Sequence, residues 1–218
     1  MKKVLVIIAI TFASVFQLSA QSGSLYFVFL NINPDKEVIT DSKAESLQSA
    51  HLKNIDRLAD EGKLIAAGSF EGGGGMFVLE AKDQFQAWGY LETDPAVKAG
   101  RFKLEILPFS LWNGELKKAG KPYEMRTYQF IRLVSNPDFK GDEGKLIHDN
   151  RIFMSDMMRD NPEVLAYGFF SEFNDGMVVV DGSAELAERL IKEHASVKAG
   201  QLGFEIKSLY IAKGTFGD

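Results

Sequence analysis

Apolar and polar residues recur along the first half of the chain in a fixed order of strand-like and helix-like segments. The run Tyr26–Leu30 is rich in aromatic and β-branched residues and predicts a strand. A helix is expected next, because Ser42 and Glu45 have the spacing of a capping box and Gly62 can end the helix. The remaining pattern predicts strands at 63–70, 76–81 and 101–107 and a helix over 83–93. This order, β-α-β-β-α-β, is that of a ferredoxin-like unit.

The second half repeats the pattern of the first. Asn136-Pro137-Asp138 matches Asn33-Pro34-Asp35, and residues 194–200 match residues 94–100 at a constant offset. Strands are predicted at 130–134, 164–170, 176–181 and 203–212, with helices over 144–160 and after Ser183. A repeat of this length indicates duplication. We therefore predict one unit over 21–116, a linker over 117–122 that contains both glycine and proline, and a second unit over 123–218.

A ferredoxin-like sheet carries its helices on one face and leaves the other face bare. Two such units in one chain can cover each other's bare faces, and the covalent link raises the effective concentration of the partner half. The predicted fold class is therefore α+β, with two tandem ferredoxin-like repeats packed sheet to sheet as an intramolecular dimeric α/β barrel. Further homo-oligomerisation stays open at this point.

The first twenty residues have the composition of a secretory signal peptide. Lys2 and Lys3 precede an apolar run that ends in Leu18-Ser19-Ala20, and the run is too short for a membrane span. We therefore expect export to the periplasm or the medium, with no membrane anchor after cleavage. The net charge of −5 includes both lysines, so it becomes −7 without residues 1–20. This acidic balance argues against nucleic acid as a partner.

The chain has 3 histidines and no cysteine, which excludes disulfides and thiolate chemistry. His51 falls on the apolar stripe of the first predicted helix, so its ring should face the sheet. Imidazole titrates near pH ~6.5 and can act as a base or an acid. A buried histidine with only a structural hydrogen bond is the alternative. We expect His148 to be the counterpart of His51 in the second half, and His194 stands where the first half has Asp94.

Several short motifs occur in the first half in a fixed order: Ala50-His51-Leu52, Leu58, Gly62-Lys63-Leu64, Ala67-Gly68, Asp94-Pro95, Ala99-Gly100 and Pro108-Phe109. Over about residues 25–112 this series resembles the YciI-related (YCII) family of small dimeric α/β-barrel proteins. It implies an active site made of His51 and Asp94, in which the carboxylate orients the imidazole. One branch of the family is similar to a dehydrochlorinating enzyme that acts on an aromatic ring.

These features lead to two hypotheses for function. The first is a small-molecule enzyme that uses His51 and Asp94 for elimination or proton transfer on a small cyclic or aromatic substrate, without a cofactor. The second is a non-catalytic binding module of the cell envelope for a small ligand. For His148 and His194 three interpretations stay open: a structural role, a different ligand, or a metal with Asp149 or Glu193. No metal-ligand spacing in the sequence supports the last of these.

Overall fold

The structure, a computed structural model, describes residues 23–170 and 175–217. The predicted signal peptide, residues 1–20, lies outside the described residues. The first half comprises β1 (Ser24–Ile32), α1 (Asp41–Asp60), β2 (Leu64–Phe70), β3 (Gly75–Ala81), α2 (Gln84–Leu91), α3 (Pro95–Lys98) and β4 (Phe102–Gly114). The second half comprises β5 (Met125–Ser135), α4 (Glu143–Asp160), β6 (Val164–Phe170), β7 (Gly176–Val180), α5 (Ala184–Lys192), α6 (Ala195–Lys198) and β8 (Leu202–Ala212).

The helix boundaries are set by side chains that cap them. Thr40 caps α1 by accepting a hydrogen bond from the Lys43 amide, so this helix begins slightly before the expected Ser42 cap. Gly62 follows the end of α1 with a φ of 73°, a left-handed conformation that glycine adopts without strain. Ser183 caps α5 by accepting from the Leu186 amide, as predicted.

Eight antiparallel strands close into one barrel, in the order β1-β3-β2-β8-β5-β7-β6-β4. Each half supplies four adjacent strands in the same relative order, and the two seams between halves are β2–β8 and β4–β6. The seams are equivalent, because Gly68 pairs with Ile211 in one and Gly168 pairs with Leu111 in the other. The predicted α+β fold, a dimeric α/β barrel formed within a single chain, is confirmed.

The barrel interior is filled with packed side chains, many of them aromatic. The rings of Phe27, Phe29, Phe109, Phe130 and Phe170 contact one another, with centroids 4.8 to 6.0 Å apart. The helices pack outside the barrel, and each half has its own apolar layer between helices and sheet. The interior therefore holds the two halves together, and open space lies in the outer layers.

No helix within residues 23–170 and 175–217 combines the length and apolarity needed to cross a membrane.

Candidate functional site

His51 and Asp94 are brought together in the first half between α1 and α3. Nδ1 of His51 lies 2.7 Å from Oδ2 of Asp94, and both residues are buried. Because an ionised carboxylate only accepts hydrogen bonds, Nδ1 carries the proton and donates it to Asp94. This leaves Nε2 as the ring nitrogen with a free lone pair. The contact has the geometry by which a carboxylate orients a catalytic imidazole.

Asp94 is fixed because it also caps a short helix. Its Oδ1 accepts hydrogen bonds from the amides of Ala96, at 2.8 Å, and Val97, at 3.4 Å. Pro95 occupies the first position of α3, where a missing N–H has no cost. The Asp-Pro motif therefore directs one carboxylate oxygen to the backbone and leaves the other for His51.

The Asp94 carboxyl is held in its ionised form. Burial alone raises its pKa, but the hydrogen bond and charge of His51 lower it, and the amides of Ala96 and Asn54 add to this effect. The net result is a pKa below the usual value of an aspartate. Asp94 therefore stays anionic at neutral pH and can stabilise a protonated imidazole.

Asn54 is a third member of the cluster, which the sequence reasoning did not identify. Its Nδ2 donates to Oδ2 of Asp94 over 3.2 Å. Arg57 and Thr93 in turn donate to Oδ1 of Asn54, at 2.8 and 3.1 Å, and so fix the orientation of the amide. The helical spacing could have revealed it, because Asn54 lies three residues after His51 on the same face of α1.

A cavity of about 580 Å³ opens between α1 and the outer face of β2, and His51 lines it. The rings of Phe77 and Phe102 flank the imidazole, with centroids 6.1 and 5.9 Å away. Across the described residues Nε2 of His51 has no hydrogen-bond partner, and it is not among the buried unsatisfied atoms. The basic nitrogen of the pair is therefore accessible from the cavity.

Both halves contribute to the walls of this cavity. Its floor is made of small residues on β2, among them Ala67 and Ser69. Tyr210 and Ala212 come from β8 across the seam, and Tyr123 comes from the segment that precedes β5. The intramolecular barrel is thus needed to complete the pocket.

The second half does not reproduce the pair, and the expected correspondence of His148 with His51 is corrected. The burial pattern of α4 aligns Asn150 with His51 and Met157 with Leu58, since each of these four side chains is buried. His148 is exposed. His148 precedes Asn150 by two residues, which is about 200° around the helix, so its side chain lies away from the buried face of α4.

His194 occupies the position of Asp94, as expected, and makes the same kind of capping contact. It caps α6 by accepting from the Ser196 amide at Nδ1, over 3.3 Å. Asn150 and Gln201 both hydrogen-bond to the Ser196 hydroxyl, so the histidine has no acidic partner in this cluster. Burial lowers the pKa of His194 to about 4, and among the described residues its Nε2 is buried without a hydrogen-bond partner. His194 is therefore neutral at pH 7.

Within the part of the chain that the structure describes, no three His, Asp or Glu side chains converge in a way that could hold a metal ion.

Comparison with known proteins supports the family resemblance of the first half. Residues 24–110 match the sequence profile of the YCII-related domain, which confirms the expected resemblance over this part of the chain. A search of curated proteins found no match.

Solved structures share the fold across both halves. A proposed monooxygenase from Lactobacillus acidophilus NCFM superposes with a TM-score of 0.50 at 14% identity, over 90% of this chain and 98% of the other. A proposed chlorite dismutase superposes with a TM-score of 0.51 at 11% identity, over 87% of this chain and 94% of the other. At such low identity the likeness shows the fold alone.

Proposed function

We propose that the protein is a small-molecule enzyme in which His51 is the general base and acid and Asp94 orients it. The observation that carries this proposal is the 2.7 Å contact between Nδ1 of His51 and Asp94, on a ring that lines a cavity of about 580 Å³. Such a pair needs no cofactor for elimination or proton transfer. A cavity of this size takes a small cyclic substrate.

The chemistry follows from the orientation of the ring. Nε2 of His51 takes a proton from the substrate, and the imidazolium that forms is stabilised by the anionic Asp94. In an elimination, the electron pair left on carbon forms a double bond to the adjacent carbon, the leaving group departs as an anion, and the imidazolium then releases its proton to water. In a proton transfer, the imidazolium returns its proton to a second atom of the substrate. His51 ends each cycle neutral.

The test is a turnover screen of cyclic ketones and halogenated phenols in D₂O, read by deuterium incorporation and halide release. We expect the wild type to turn over at least one of these compounds. The turnover rate of His51→Gln should be lower by about 10²- to 10⁴-fold, the usual contribution of a general base. Exposed His148 provides the matched control, and His148→Gln should retain activity. Equal turnover in wild type and His51→Gln would refute the proposal.

A non-catalytic binding module is the second candidate, and one observation favours it. The second half has already lost the pair, since Asn150 and His194 replace the histidine and the aspartate while the fold is kept. If wild type and His51→Gln bind the same compounds equally well and neither turns them over, the binding module is the correct description.

We also propose that the mature protein is exported, on the basis of the basic start, the apolar run and the small residues before Gln21. Expression of the full chain in a bacterial host should yield a secreted or periplasmic product whose N-terminus, read by mass spectrometry, is Gln21. An intact Met1 in a cytosolic product would contradict this.

A further inference from the structure

The second half fills, with its own aromatic side chains, the space that corresponds to the cavity of the first half. The seam registers align Ala67 with Tyr167 and Ser69 with Phe169 on the outer face of the sheet. Tyr167 is 1% and Phe169 6% exposed, and both belong to the apolar layer beneath α4. The first half therefore has two small side chains where the second half packs two rings.

The same contrast recurs at one position of the neighbouring strand, and a side chain of the helix packs onto the rings of the second half there. Ala212 of β8 aligns with Trp112 of β4, whose ring contacts Phe169 with centroids 6.0 Å apart. Leu52 on α1 aligns with Arg151 on α4, whose guanidinium lies 4.7 Å from the Trp112 ring and 5.3 Å from the Phe169 ring. Stacking of a guanidinium on aromatic faces is favourable. These side chains therefore fill the space in the second half that is equivalent to the cavity of the first half.

We propose that Ala67, Ser69 and Ala212 determine which ligands the first-half cavity accepts, and that the ligand is a planar aromatic ring system laid on them. The inference rests on the proposed function only in placing the ligand beside His51. Its own basis is that the fold has two equivalent spaces, one of which is already occupied by flat rings. A ligand with the shape of those rings fits the space that remains open.

The rim of the cavity supports the same class of ligand. Leu52, Tyr123, Met125 and Tyr210 line it and are 52%, 40%, 39% and 50% exposed. Such a concentration of large apolar groups around one opening is typical of a ligand site. Tyr123 and Tyr210 offer ring faces and hydroxyl groups to the part of a ring system that extends past the mouth.

The test compares two probes with ten carbons and one hydroxyl, flat 2-naphthol and globular 1-adamantanol, by isothermal titration calorimetry. We expect wild type to bind 2-naphthol about tenfold more tightly, because the globular probe requires the packed walls to move. Ser69→Phe should weaken 2-naphthol binding by about tenfold or more, since it places the ring of the second half in the cavity. Ser110→Phe, the same change at an exposed site on β4, should leave the affinity unchanged.

The reciprocal variant tests the proposal without relying on the first half. Trp112→Ala combined with Phe169→Ser should open the second space and raise the stoichiometry from one 2-naphthol per chain to two. Failure of wild type to bind 2-naphthol, equal affinity for the two probes, or full affinity in Ser69→Phe would overturn the proposal.

The variant His51→Gln separates this inference from the proposed chemistry. It should still bind 2-naphthol with a preference over 1-adamantanol, since the floor positions are untouched. Turnover lost with ring binding retained supports both proposals. If turnover by the wild type depends on His51 but the wild type does not prefer 2-naphthol over 1-adamantanol, only the proposed ligand class is refuted.

Discussion

The buried histidine of the second half should make the protein sensitive to mild acid. His194 is fully buried, and burial lowers its pKa to about 4, whereas an unfolded chain has a histidine pKa near 6.5. At a pH between these two pKa values, His194 is protonated in the unfolded state and neutral in the folded state. Stability therefore rises with pH across this window and is lost as the pH falls from 6.5 towards 4.

The size of the effect follows from the separation of the two pKa values. Each pKa unit corresponds to about 1.4 kcal/mol, so the full window is worth about 3 kcal/mol, of which about 2 kcal/mol is lost between pH 7 and pH 4.5. The carboxylates of the protein add their own acid dependence. A variant that removes only the histidine is needed to isolate its part.

His194→Asn is that variant, because asparagine can cap α6 at the same position without titrating. Urea unfolding at pH 7 and pH 4.5 measures the free energy of unfolding of each protein. We expect the loss on acidification to be about 2 kcal/mol smaller in His194→Asn than in wild type. The control His148→Asn removes an exposed histidine and should behave like wild type. Identical acid dependence in His194→Asn and wild type would refute the reasoning.

Two further predictions concern the contacts between the halves. Gly68→Ala places a Cβ 2.7 Å from Cδ1 of Leu209 and 3.1 Å from the Tyr210 carbonyl at a barrel seam. It should lower the free energy of unfolding by about 1–3 kcal/mol, whereas Gly120→Ala meets open space and should not. Glu105→Gln weakens the paired hydrogen bonds from Arg132, at 2.7 and 2.9 Å. It should lower the free energy of unfolding by about 1 kcal/mol, because the pair is partly exposed. Chemical denaturation measures both effects.

The architecture could be predicted from the sequence because local residue patterns determine its strands, helices and turns. Strand-like runs, capping residues and turn glycines specify each element, and the repeated Asn-Pro-Asp motif shows that the elements occur twice. The contact between His51 and Asp94 followed from the family resemblance, and the structure places the two side chains within hydrogen-bond distance. Their catalytic role stays a proposal.

The details that the sequence did not reveal depend on distances between elements. The match of His148 with His51 failed because His148 lies two residues before Asn150, and two residues along a helix are more than half a turn. Asn150 could have been found from its spacing to Met154 and Met157, the helical positions that reach the core. The second role of Asp94, as the cap of α3, became visible only with the short helix itself.

The open cavity was equally hidden, because it depends on side chains that are absent. Ala67 and Ser69 look like ordinary strand residues until they are placed opposite Tyr167 and Phe169 in the equivalent half. The offset between residues 94–100 and 194–200 already aligns these positions, but only the fold shows that their side chains face equivalent spaces. The cavity is recognised by comparing the small residues of its floor with the large residues at the equivalent positions of the other half. Neither sequence segment reveals it alone.

The most direct test of the central claim is the protonation of the two ring nitrogens of His51. Long-range ¹H–¹⁵N correlation spectra of labelled protein distinguish the two neutral forms of each histidine, and His51→Gln assigns the signal. Exposed His148 provides an internal reference for a ring in water. Whenever the ring is neutral, a proton on Nδ1 and a bare Nε2 is the predicted result. A proton found on Nε2 instead would mean that Asp94 does not orient a base towards the cavity, and the proposed chemistry would be wrong.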